Sequence, residues 1–125
     1  MRKLTDHIVE GDSVNHQVKV SALDETGQGG AHHEYEITWP IGESRTEFVT
    51  GISFQNGPIR EVGVNGLTNE ALLAIVIDRM RGFQEGPYRS RDNACALTHM
   101  EEAMMWLQRR TRERIKRGVE GTNKV

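Results

Sequence analysis

The run LTNEALLAIVIDRMRGFQEGPYRSRDNACALTHMEEAMMWLQRRTRERIKR, residues 67–117, decides the fold. Leu72, Leu73, Ile75, Val76, Ile77 and Met80 in its first part recur with a helical period, as do Leu97, Met100, Met104, Leu107 and Ile115 in its second. Between them lies Gly82-Phe83-Gln84-Glu85-Gly86-Pro87-Tyr88, where Gly and Pro stop the first helix and reset the backbone. The reading is a helical hairpin. Thr68 is placed to cap the first helix, with Glu70 favourable to its dipole, and Ser90 to cap the second. Gly118 follows as a stop. From Ala71 to Ile77 the first helix is apolar nearly all round, and such a helix is covered on more than one side. The second helix covers one side, and a second subunit is a candidate for another.

N-terminal to the hairpin the period changes from 3.6 to 2. Residues 1–13 read as a polar arm or short entry strand. Gln17–Ala22 alternates, and Asp24–Ala31 is a glycine-rich loop without the lysine or following helix of a phosphate cradle. Tyr35, Ile37 and Trp39 face one way and Glu34, Glu36 and Thr38 the other, as in a half-buried antiparallel strand. Pro40–Arg45 turns, and Phe48, Thr50, Ile52 and Phe54 alternate again. Asn56-Gly57 reads as a hairpin turn, with Ile59–Val64 returning as a further strand, edge-placed because Pro58 lacks an N–H. The fold class is α+β: a small N-terminal antiparallel β-sheet over 14–64, a C-terminal helical hairpin over 67–117 and a tail over 118–125, expected as one domain spanning 1–125.

At 125 residues and 36% hydrophobic content, one modest core is expected, completed by the sheet, a partner subunit or both. The net charge of −2 hides a polarity. Residues 1–50 carry nine acids and four Lys/Arg, and residues 51–125 carry nine and twelve, so the halves sum to −5 and +3. The lone Cys95, between Ala94 and Ala96, reads as a buried inert thiol in a reducing compartment. No run approaches a membrane span, and the N-terminus has no apolar signal-like stretch, so neither membrane association nor export is expected.

Catalytic constellations are missing from the pattern. His7, His16, His32, His33 and His99 have no metal-ligand spacing, and Cys95, Ser53 and Ser90 have no nucleophile context. Glu101 and Glu102 diverge by about 100° on a helix, so they are no acid–base pair. The pattern favours a protein that holds something over one that transforms it, with no metal and no cofactor. The end of the second helix is the positive signal: Arg109, Arg110, Arg112, Arg114 and Arg117 against one lysine, Lys116. Cations there complement the helix dipole, but arginine also grips phosphate bidentately. Phe83 and Tyr88 near the turn are candidate stacking surfaces, while Trp106 reads first as a core contact. Asn93, Asn56 and Asn65 could read base edges or ribose hydroxyls, and each also suits a cap or turn.

The run Gln55–Leu73, the segment Gly82-Phe83-Gln84-Glu85-Gly86-Pro87 and the ending Arg110–Thr122 resemble the Thoeris anti-defence sponge family of phages. The hairpin is also similar to that of phage anti-CBASS sponges, and the likeness covers about residues 50–122. The resemblance implies a non-enzymatic protein, acting in the cytoplasm of the infected bacterial host. It would bind cyclic ADP-ribose isomers (glycocyclic ADP-ribose) made by TIR-domain immune enzymes, sequester them and so block activation of the Thoeris effector. It implies a homo-oligomer, dimer or hexamer. It implies Phe83 stacked on adenine, Asn93 bonded to base or ribose, and Arg109 or Arg110 on the pyrophosphate. The residue pattern itself adds Arg114, Tyr88 and Asn65 as further ligand-binding candidates. The physical arithmetic agrees. Charge-assisted hydrogen bonds contribute about 1.5–3 kcal/mol apiece, and a nanomolar sponge needs about 12 kcal/mol net. More than one arginine and a rigid pocket are therefore required.

Three alternatives stand beside this: a sponge for cyclic di- and trinucleotides of CBASS immunity, a small nucleic-acid-binding protein using the Arg-rich helix, and an enzyme cleaving the signal, against which the missing acid–base and metal constellations argue. The net charge and the acidic first half argue against the second.

Overall fold

The computed structural model describes residues 1–43 and 46–125. Ser44 and Arg45, and with them the end of the turn expected over Pro40–Arg45, lie outside the described residues. The fold is α+β, a four-stranded antiparallel sheet followed by helices. The chain forms two compact units, Met1–Gly57 with Val64–Gly66, and Pro58–Gly63 with Leu67–Val125.

The first unit is a meander, β1 (Arg2–Leu4), β2 (Lys19–Ala22), β3 (Glu34–Pro40) and β4 (Glu47–Ser53), paired in chain order. The expected arm 1–13 thus begins with a paired strand, Arg2 opposite Ala22 and Leu4 opposite Val20. Alternation in β3 and β4 sets the register: Tyr35 faces Ile52, and Trp39 faces Phe48 with rings stacked at 4.7 Å. Tyr35 meets Phe54 edge-on at 5.7 Å. The glycine-rich loop contains a single 3-10 turn at Gln28–Gly30 and closes on His33, which is 7% exposed. Its Nε2 donates to the Gln28 carbonyl at 3.0 Å. A Cβ at Gly27 would press on that ring at 3.2 Å. Asp24 ties the loop base by accepting from the His33 and Glu34 amides. Those bonds, His33's foremost, with His32 nearby, hold the Asp24 carboxyl below its ordinary value.

Ile59–Val62 is a helix, α1, not the expected return strand. Asn56-Gly57 makes no primed hairpin turn, since among the described residues only glycines take positive φ. The reason is local. Pro58 precedes one helical turn and Gly63, at φ +73°, ends it, the Pro-before and Gly-after signature of a helix. Ile59 and Val62 then share a face at i, i+3. Asn65 replaces the missing strand partner. Its Oδ1 accepts from the Asn56 amide at 2.8 Å and its Nδ2 donates to the Asn56 carbonyl at 2.7 Å. The next residue must be glycine, because a Cβ at Gly66 would lie 2.4 Å from the Phe54 carbonyl carbon.

The second unit is the hairpin, α2 (Asn69–Glu85) and α3 (Arg91–Lys116), with α1 and the tail. Thr68 and Ser90 are the N-caps, accepting from the Ala71 and Asn93 amides. Gly82 does not stop α2, which runs through Phe83 to Glu85 and ends at Gly86. One internal glycine costs only about 1 kcal/mol against alanine, and the packed hairpin outweighs it. The seam follows heptads: Glu70, Leu73, Ile77, Met80 and Gln84 on α2, and Asn93, Leu97, Met100, Met104, Leu107 and Thr111 on α3, all buried or half-buried. Ile75 and Val76 stay exposed, so α3 covers only one side of α2. After α3, Gly118 at φ +72° lets the Val119 amide reach the Arg114 carbonyl, a Schellman stop, and Val119 is buried. The tail over 118–125 folds back, with the Arg60 amide donating to the Gly121 carbonyl.

Candidate functional site

The turn end of the hairpin is built to be stiff. The Gln84 side-chain amide donates to the Ser90 carbonyl and accepts from the Ser90 amide, both at 3.1 Å. Arg81 pairs with Glu101 across the seam at 2.7 Å. The pair is solvated and adds little energy, but it helps fix the helix register. On this frame Phe83 occupies the last turn of α2, Tyr88 the connection and Asn93 the first turn of α3. Phe83 and Tyr88 meet edge-to-face at 6.5 Å. The guanidinium of Arg79 lies 4.9 Å from the centre of the Phe83 ring. Arg79 is a member of this cluster that the sequence reading missed. Its signal was its place one helical turn before Phe83, i to i+4. The cluster offers an aromatic face, a phenol and a cation, and Tyr88 is 75% exposed.

The other sequence candidates divide. Arg109 and Arg110 are exposed near the far end of α3. The Arg109 guanidinium lies 5.4 Å from the centre of the Trp106 ring. Arg114 is engaged: its guanidinium donates to the carbonyls of Val119, Thr122 and Lys124. Arg117 likewise donates to the Val125 carbonyl. Asn65 belongs to the first unit and spends its amide on Asn56. A ligand taken by Arg114 or Asn65 would have to displace bonds that hold the fold.

Two burial expectations fail. Cys95 is exposed, and Trp106 is 66% exposed rather than a core residue. Both follow from helix geometry. Each lies two residues from a seam residue, Leu97 or Met104, and so about 200° round the helix from it. Among the described residues no group of three or more His, Cys, Asp or Glu side chains is placed to hold a metal ion. No helix among them is long and apolar enough to cross a membrane.

Asn93 and Arg110 are 17 positions apart on one continuous helix, about 26 Å at 1.5 Å per residue. Within one chain, therefore, the aromatic cluster and the outward arginines do not meet around a molecule of nucleotide size.

The Acb2/Tad1 hairpin-domain model matches residues 49–112, about half of the chain. A protein of Bacillus phage SBSphiJ7 named Thoeris anti-defense 1 is 52% identical over 97 residues, 78% of this chain. The chain spans 65% of that relative's length.

Proposed function

We infer the function from one premise: this chain belongs to the Acb2/Tad1 hairpin-domain family. It is a phage anti-Thoeris protein that binds and sequesters glycocyclic ADP-ribose signals made by TIR-domain enzymes, without transforming them. Effector activation then fails for want of free signal. The observation that carries this reading is the 52% identity to a protein named Thoeris anti-defense 1.

The geometry supplies the parts such a ligand needs. Phe83 offers a face for adenine, with Arg79 and Tyr88 around it. Asn93 flanks the same turn and offers amide hydrogen bonds to base or ribose. The pyrophosphate falls to Arg109 or Arg110. Since these stand about 26 Å from Asn93 along α3, the arginine comes from a second copy of the chain. The exposed Ile75 and Val76 on α2 agree with a hairpin that is completed by another subunit. Sequestration needs tight and slow release, and the stiffened turn supplies it by lowering the ordering cost on binding. Nothing in the clusters described supplies an acid–base pair for cleaving the ligand.

The test is calorimetric titration with glycocyclic ADP-ribose isomers, followed by heating the complex and identifying what is released. Nanomolar binding and intact ligand are expected. A linear product would make the protein an enzyme. Absence of binding, with uptake of cyclic di- or trinucleotides instead, would move it to the CBASS ligand class.

A further inference from the structure

Two arginines near the end of α2 are used differently. Arg81 is spent on Glu101 across the seam. Arg79 is exposed, and among the described residues no carboxylate forms an ion pair with it. Its guanidinium lies instead over the ring of Phe83, 4.9 Å from the centre. Phe83 is half-buried, so it does not offer both faces to solvent. The face that carries an exposed cation is the outward one, and it is the face a base must take.

Magnitudes decide what happens when a base arrives. A cation–π contact at an exposed site shifts an equilibrium by about 2- to 5-fold, and a base stacked on an aromatic ring by roughly 5- to 150-fold. Adenine therefore wins the ring and the guanidinium leaves it. Exposed side chains change rotamer readily, so the head swings off without moving the helix. The displaced cation then needs a partner, and the ligand brings one. A phosphate accepts a guanidinium as a fork, in a charge-assisted bond stronger than the ring contact it replaces.

We propose that Arg79 is a further ligand-binding residue, which covers Phe83 while the site is empty and transfers to a phosphate of the ligand when adenine takes the ring. This role rests on the reading above. It adds a cation from the aromatic's own chain to Arg109 or Arg110 of the other, so the two phosphates meet a cation from each chain. It also puts a condition on stacking. A purine without phosphate displaces the guanidinium and gives it nothing in return, so the ring favours a base that carries an anion.

The experiment is a double-mutant cycle on the full chain, read by calorimetric titration with glycocyclic ADP-ribose. Arg79→Ala should weaken binding about tenfold while the thermal midpoint stays parental, since Arg79 is exposed. Beside Phe83→Ala the same change should cost at least as much, because the phosphate bond is still lost and no ring contact remains to give up. Arg79→Lys, which keeps the charge, should recover part of the loss. A residue that only steadied the ring would cost nothing further once the ring is gone. A second readout follows Arg79 itself. By NMR its Cδ protons should lie upfield in the free protein, under the Phe83 ring, and return to ordinary positions when ligand binds. Parental affinity in Arg79→Ala, no effect of Arg79→Ala beside Phe83→Ala, or Cδ protons that stay upfield with ligand bound would each overturn the proposal and leave the functional reading standing. A parent that binds no glycocyclic ADP-ribose would overturn that reading and this role with it.

Discussion

The two ends of α3 are built on opposite plans. Its N-terminal end is pinned: Ser90 caps it, Gln84 grips Ser90 through both amide groups, and Arg81 reaches Glu101 from the facing helix. The aromatic pair Phe83 and Tyr88 stands on that frame. The C-terminal end is cationic, and its charges are split. Arg114 and Arg117 turn inward onto tail carbonyls, while Arg109, Arg110 and Arg112 are exposed. One end therefore offers shape and stacking and the other offers charge. About 26 Å of rigid helix keeps them apart in a single chain. A cation cluster at a helix end is not by itself a phosphate site. What matters is which cations the fold has already used.

Perturbing the charged end should have the largest effect. Arg109→Ala with Arg110→Ala removes two charge-assisted bonds, about 3–6 kcal/mol, or roughly two to four orders of magnitude in affinity by calorimetry. Parental affinity in that variant would reduce the charged end to a solvated helix terminus. Phe83→Ala tests the stacking end and should cost about 1–3 kcal/mol of binding. A thermal midpoint close to the parent's should accompany it, because Phe83 is only half-buried. If binding held and stability fell, the ring would be a packing residue and the contrast between the ends would collapse. Ser90→Ala should lower unfolding free energy by about 1 kcal/mol in a denaturant titration, and binding should weaken with it as the turn loosens. An unchanged affinity would mean the stiff turn serves the fold and not the ligand.

The smallest effect belongs to neither end and serves as the control. Asp24 in the first unit has its carboxyl held below the ordinary 3.8, chiefly by the His33 amide. A lowered folded pKa stabilises fully above that ordinary value and is lost as pH falls through the depressed one. Melts between pH 5 and pH 2 should show this decline in the parent and a smaller one in Asp24→Asn, where the Asp12 carboxyl, raised by desolvation but held below its ordinary value on balance by the Asn15 and Val14 amides, still titrates. Ligand affinity measured above pH 5 should be the same in both proteins.

How much of this was legible in the sequence depended on whether a signal was local. The alternation of Tyr35, Ile37 and Trp39, and the caps Thr68 and Ser90, are short-range patterns, and each appears where it was read. Ile59–Val62 was misread because Asn56-Gly57 is a strong hairpin signal, yet Pro58 and Gly63 bracket one helical turn. The side-chain bridge from Asn65 to Asn56 has no sequence signature at all. The apolar stripe of α3 was visible, but its edges were not. Trp106 and Cys95 neighbour seam residues in sequence and point elsewhere in space. The commitment of Arg114 to the tail was equally hidden, because it depends on a Schellman turn returning the chain to that side chain.

The central claim is that one ligand site takes its aromatic part from one chain and its phosphate grip from another. Subunit complementation tests it most directly. Phe83→Ala and the Arg109→Ala, Arg110→Ala double variant should each bind glycocyclic ADP-ribose well below parental affinity alone. Refolded together in equal amounts, they should regain about a quarter of the parental sites, since half the two-fold dimers are mixed and each mixed dimer holds one intact site. A mixed sample that binds no better than its components would place both halves of the site in one chain and contradict the account.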